Sequence, residues 1–149
     1  MAHGFPLKVS WSGSTATRSF TRAAEASAPG KPVIELSSGD PASGGDMTRW
    51  NPEDLLGASL SMCHMLTFLA LAAKVGLDVR GYEGDAEAVL DTVDRVTSVT
   101  KVVLRPRVTL APGSNVAKAT EMFHKAHKYC YIANSVRAET VMEPVFVEG

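Results

Sequence analysis

Residues Leu55 to Ala73, LLGASLSMCHMLTFLALAA, run for 19 positions without an aspartate, glutamate, lysine or arginine. No other feature limits the fold as much, because a helix that is apolar on every side must be covered on every side. The stretch is long enough to cross a bilayer. However, it carries Ser59, Ser61, His64 and Thr67 and lacks the aromatic belt of a membrane span. We read it as the buried central helix of a soluble domain. Asn51 supplies an N-cap, Pro52 suits the first helical position, Glu53 and Asp54 favour the positive end of the dipole, and Gly76 ends the helix. One sheet from a chain of 149 residues covers one flank of such a helix. The sequence therefore predicts a homodimer with the central helices packed together.

The flanking segments read as strands and one further helix. LKVSW (7–11), ATRSFTRAA (16–24) and PVIELS (32–37) are predicted strands, followed by a flexible stretch over 37–50. Two more strands cover about 80–92 and 97–111. In the second of these, Val102, Leu104, Val108 and Leu110 share one face. Pro106 inside that run predicts an edge position or a bulge. Ser114 is expected to cap a helix over about 115–130, with Val116, Ala119, Phe123, Ala126 and Cys130 near one stripe. ETVMEPVFV (139–147) reads as a final strand. This order predicts a single α+β domain over 1–149, with helices packed on antiparallel sheet.

Composition narrows the function. A net charge of −1 gives no reason to expect nucleic acid or an anionic membrane as partner. The opening MAHGFPLKVSW has no apolar run behind a basic segment, and two cysteines do not make a secreted disulfide scaffold. A cytoplasmic location is expected.

The chemistry-bearing residues are few. Cys63 lies midway along the central helix and Cys130 at the end of the second; if the helices pack together, the two sulfurs can approach disulfide range. Two thiols that simply pack are the plain alternative. A useful nucleophile needs the thiolate, hence a nearby cation or helix N-terminus, and Cys63 is far from the start of its own helix. His64 points about 100° away around the helix, so it is not the base and reads as a satisfied core or interface histidine. Arg18, Arg22 and Arg49 are the candidate cations, and Glu53 can hold an arginine in a bidentate pair. Glu53 stands about 15 Å along the helix from Cys63, so it acts through an arginine or on a partner subunit's site. His124, His127 and Cys130 share one helix flank and, with Cys63, offer an alternative metal site, although the spacing matches no common zinc signature. No metal or cofactor is expected.

NPEDLLGASLSMCHMLTFL (51–69) resembles the hallmark helix of the OsmC/Ohr family, the osmotically induced and organic-hydroperoxide-resistance proteins. AHKYCYIANSV (126–136) is similar to that family's second motif, a cysteine near a helix end. The resemblance implies an intertwined homodimer, its long central helices wrapped by sheet, acting as a thiol peroxidase on organic hydroperoxides. It implies Cys63 as peroxidatic nucleophile, Cys130 as resolving cysteine, a transient Cys63–Cys130 disulfide, and an external dithiol, often of the lipoyl type in relatives, as reductant. Glu53 matches the glutamate that pairs with the catalytic arginine. Arg22, 31 residues before it, has the spacing of the hydroperoxide-resistance proteins, whereas Arg49 is similar in placement to the osmotically induced branch. Tyr131 stands where many members have proline after the second cysteine. A non-catalytic dimer that binds an apolar ligand is the alternative on the same fold.

Overall fold

In the computed structural model, which describes residues 2–149, the apolar segment forms helix α1, Pro52–Lys74. Its start is a reciprocal box. The Asp54 N–H donates to Asn51 Oδ1 at 2.8 Å, and the Asn51 N–H donates to Asp54 Oδ2 at 3.1 Å. At the other end Gly76 adopts φ 73°, the left-handed conformation that stops a helix at least cost. There the Leu77 N–H donates to the Ala72 carbonyl at 2.9 Å and the Gly76 N–H to Ala73 at 3.2 Å, which satisfies the last turn.

The chain divides into two units, Met1–Leu55 and Leu56–Gly149. The first holds three short strands, β1 (Lys8–Ser10), β2 (Ala24–Ser27) and β3 (Ile34–Leu36), in an antiparallel meander. The strand expected over 16–24 is displaced. Residues between β1 and β2 form an irregular loop, closed by the Trp11 indole N–H donating to Thr21 O at 2.8 Å and by Trp11 packed edge-on to Phe20. Pairing therefore begins only at Ala24. The stretch after β3 is pinned rather than loose: the Ser37 N–H donates to Trp50 O at 2.9 Å, and Trp50 returns its N–H to Glu35 O at 3.3 Å.

The second unit contains β4 (Val79–Val93), β5 (Val96–Leu110), α2 (Val116–Tyr129), β6 (Glu139–Met142) and β7 (Val145–Glu148). β4 and β5 form a long hairpin through Asp94 and Arg95, both at positive φ (51° and 66°), the tight turn that matches strand twist. β5 is the central strand, with β4 antiparallel on one side and β6 and β7 parallel on the other. The larger sheet is thus mixed, not wholly antiparallel. Pro106 is buried in this central strand rather than at an edge, which corrects the expectation from its sequence. The structure accommodates it by interrupting the neighbour. Leu104 pairs with Met142 before the gap and Arg107 with Val145 after it, in unchanged register, so Pro144 falls opposite Pro106. Pro106 has no N–H to give the facing strand, and the ladder breaks there.

Asn115, not Ser114, caps α2, its Oδ1 accepting from the Lys118 N–H at 3.0 Å. Ser114 instead donates to Ala111 O at 2.5 Å, holding the turn before the helix. Ala119, Met122, Phe123 and Ala126 of α2 join Phe68 of α1 and Val108 and Leu110 of β5 in the main core, while Val116 stays exposed. Leu60, Val102 and Leu104 form a second cluster. The stripe Gly57, Leu60, His64, Phe68 and Ala72 buries one side of α1. Only 28% of its most apolar window is buried within the chain, and by length and composition the helix also passes as a membrane span. Met62 and Leu66 face outwards.

Candidate active site

Cys63 follows from the register of α1. His64 occupies the buried stripe, so the residue before it falls at the border and is partly exposed. There it lines a groove of about 670 Å³ whose walls are Met62, Leu66 and Ala70 of α1, Tyr129 at the end of α2, and Tyr131 and Ile132 just beyond it, with Lys128 and Asn134 beside them. Cys130 is the C-cap of α2 and fully buried, its Sγ accepting from the Ala133 N–H at 3.4 Å. The structure brings the two cysteines together as free thiols, and the neighbouring Cys130 thiol favours the Cys63 thiolate.

The surroundings treat the two sulfurs differently. Burial alone would push the Cys63 thiol up. The backbone N–H of Ile132, the Cys130 thiol, the N–H of Tyr131 and the Thr67 hydroxyl outweigh it and bring Cys63 below its ordinary value. Burial pushes Cys130 up, the Ala133 N–H opposes it, and the nearby Cys63 adds to the rise. Cys63 therefore ionises first while Cys130 keeps its proton. A thiolate at the mouth of an apolar groove, with a protonated thiol behind it, can attack an electrophile and then be attacked in turn.

His64 is not the expected satisfied histidine. It is fully buried, stacked edge-on against Phe123 with ring centroids 4.4 Å apart, and neither ring nitrogen has a hydrogen-bond partner of good geometry among the described residues. Burial pushes its pKa down to about 4; the Phe123 backbone opposes this only in part, and His127 and His124 add to the drop. The imidazole is neutral near pH 7 and takes no proton from Cys63.

The arginines lie in the first unit. Arg22 lays its guanidinium over the Phe20 ring, 3.4 Å from the centroid, and donates to Phe20 O at 3.0 Å. Arg49 sits 3.9 Å from Glu35 and 3.7 Å from Asp46, and Arg18 is exposed. Among the described residues no ion pair joins Glu53 to Arg22 or to another cation. His124, His127 and Cys130 do not converge: the described residues hold no cluster of three side chains suited to a metal.

Three contributors were not singled out from sequence. Thr67, four residues after Cys63 and so one turn along the same face, donates to the Cys63 carbonyl at 2.8 Å; its spacing was a usable signal. The N–H groups of Tyr131 and Ile132 carry no side-chain signature at all.

A fold of this kind, with a long helix presenting one cysteine to a second at a helix end, defines a class of dithiol proteins. The sequence model of the OsmC-like protein family matches residues 44–144, and the chain belongs to that family. The peroxiredoxin OsmC of Escherichia coli (strain K12) is 26% identical over 93 residues, 62% of this chain and 64% of that protein. The chain thus spans a little under two-thirds of the curated relatives it matches. Among solved structures, an OsmC-like protein of unknown function from Vibrio cholerae O1 biovar eltor superposes with a TM-score of 0.88 at 33% identity, covering 97% of this chain and 100% of that one. An organic hydroperoxide resistance protein from Elizabethkingia anophelis shares the fold, with a TM-score of 0.71 at 17% identity over 100% of both chains.

Proposed function

We propose that the protein is a thiol-dependent peroxidase that reduces organic hydroperoxides in oxidative stress defence. The observation that carries this reading is the ordered thiol pair: a partly exposed, readily ionised Cys63 against a buried, protonated Cys130. The Cys63 thiolate attacks the terminal oxygen of ROOH, the O–O bond breaks, and Cys63 becomes a sulfenic acid while RO⁻ takes a proton and leaves as the alcohol. Cys130 then attacks the Cys63 sulfur, forming the disulfide and releasing water. An external dithiol, of the lipoyl type by family likeness, reduces the disulfide and is itself oxidised. The apolar walls of the groove favour an alkyl or aryl hydroperoxide over hydrogen peroxide.

In this reading Arg22, steadied by Glu53, supplies positive charge during the reaction; its guanidinium lies on Phe20, uncommitted to any carboxylate among the described residues. The reading also includes a cytoplasmic homodimer. The outward-facing Met62 and Leu66 and the low burial of α1 within one chain support a second copy as its cover.

The test is a single-turnover assay on reduced protein mixed with stoichiometric cumene hydroperoxide or hydrogen peroxide, counting free thiols over time. Rapid loss of both thiols with the organic peroxide, and slower loss with hydrogen peroxide, is expected. Survival of both thiols in excess oxidant would leave a non-catalytic dimer that binds apolar ligands.

A further inference from the structure

The chain after α2 folds back on itself, and its carbonyls are taken up one by one. Asn134 donates its side-chain Nδ2–H to Lys128 O and its backbone N–H to Cys130 O, each at 3.1 Å. Ser135 donates its hydroxyl to Tyr131 O at 2.6 Å and its backbone N–H to Ile132 O at 2.9 Å. A trans peptide is planar, with C=O and N–H pointing in opposite directions. Whatever holds the Tyr131 carbonyl therefore also sets where the Ile132 N–H points. By the same geometry, the bond to Cys130 O sets the Tyr131 N–H. Tyr131 and Ile132 line the groove beside Cys63, and these two N–H groups favour its thiolate.

We infer that Ser135 is a positioning residue for Cys63: by anchoring the Tyr131 carbonyl, its hydroxyl aims the Ile132 N–H at the Cys63 sulfur. The matching anchor for the Tyr131 N–H is the backbone of Asn134, so the Asn134 side chain, which holds Lys128 O, lies outside the device. A donor oriented before the charge develops costs no reorganisation when the thiolate forms, and a hydrogen bond to a charged acceptor is about twice as strong as a neutral one. Ser135 is exposed and touches neither the groove nor either sulfur, so its hydroxyl can be removed without emptying the core. The other titratable groups around Cys63 are Cys130, Lys128, Tyr129 and Tyr131, and the Ser135 hydroxyl bonds to none of their side chains. The inference rests on Cys63 as the reactive thiol, but its test needs no peroxide.

Reduced protein is alkylated with neutral iodoacetamide across a range of pH, and modification of the Cys63 peptide is followed by mass spectrometry. Ser135→Ala is expected to move the Cys63 midpoint upwards and slow alkylation at neutral pH about three- to tenfold, with the high-pH plateau unchanged. Ser135→Thr, which keeps the hydroxyl, restores the wild-type profile, and Thr120→Ala, which removes a like hydroxyl-to-carbonyl bond (2.9 Å to Val116 O) outside the groove, matches it throughout. In the unmodified protein the Ile132 amide proton resonance follows the Cys63 titration, an arm independent of how any variant folds. A folded Ser135→Ala protein with an unmoved midpoint, an equal shift in Thr120→Ala, or an Ile132 amide silent through the titration would overturn the inference. A moved midpoint without hydroperoxide turnover leaves the positioning role standing and removes the peroxidase; turnover with an unmoved midpoint does the reverse.

Discussion

Cys130, the buried C-cap of α2, lies beside the partly exposed Cys63, and their surroundings set which of the two ionises. Cys63 is on a helix border at the groove, whereas Cys130 is sealed beneath the loop that its own sulfur helps to close through the Ala133 N–H. Attack and resolution are thereby assigned to different sulfurs by environment, without an imidazole.

The order of reactivity is the most direct consequence. Brief alkylation of reduced protein near neutral pH should label Cys63 at least about tenfold faster than Cys130, because reaction requires both thiolate and access. Peptide mass spectrometry measures the two rates. Equal labelling would mean that the pair is not ordered as described.

Single substitutions should then part company. Cys63→Ser is expected to lose turnover entirely. Cys130→Ser should consume one equivalent of hydroperoxide per chain and stop at an oxidised Cys63, detectable with a sulfenic-acid reagent such as dimedone. Sustained turnover in Cys130→Ser without added thiol would exclude Cys130 as the resolving group.

His64 makes the fold sensitive to acid. The unfolded chain binds a proton at His64 near the ordinary value of 6.5, whereas the buried imidazole holds out until about 4. Between those values the unfolded state carries more protons, so stability falls as pH drops through the window; the total is roughly 1–3 kcal/mol. His64→Leu removes the buried unpaired nitrogens. Its melting temperature should equal or exceed that of the wild type, with the gap widening from pH 6.5 towards 4. A constant gap across that range would show that another group carries the acid sensitivity.

The hairpin turn offers a test away from the site. Arg95 holds φ 66°, a conformation that costs an ordinary side chain. Arg95→Gly should stabilise the protein by about 0.5–1 kcal/mol in urea titration, the relief of strain exceeding the extra freedom gained by the unfolded chain. A loss of stability would place an unsuspected contact on the Arg95 side chain.

The central helix could be read from sequence almost to the residue because its limits are local: Asn51 with Asp54 at one end, Gly76 at the other. The α+β class and the meeting of Cys63 with Cys130 were legible for a related reason, since one face of each helix had to be buried. The displaced strand near Arg22 was not, because the Trp11–Thr21 bond that closes its loop joins residues ten apart with no periodic signal. Asn115 and Ser114 both suit a cap, and only the backbone path decides between them. Arg18, Arg22 and Arg49 are the cations a sequence offers to Cys63, whereas two of the groups that favour its thiolate within its own unit are the peptide N–H groups of Tyr131 and Ile132, and peptide groups are the same at every position in a sequence.

Pro144 has a consequence for the outer border of the larger sheet. The Glu143 N–H donates to Leu104 O at 2.8 Å and the Gly149 N–H to Leu110 O at 3.0 Å, so alternate residues turn their amides into β5 and those between turn theirs outwards. Pro144 stands at one of the outward positions, between the end of β6 and the start of β7. A strand from another molecule seeking to extend the sheet there would meet a position with no hydrogen to offer. The proline adds no attraction to the docked strands; it closes their free border to further ones.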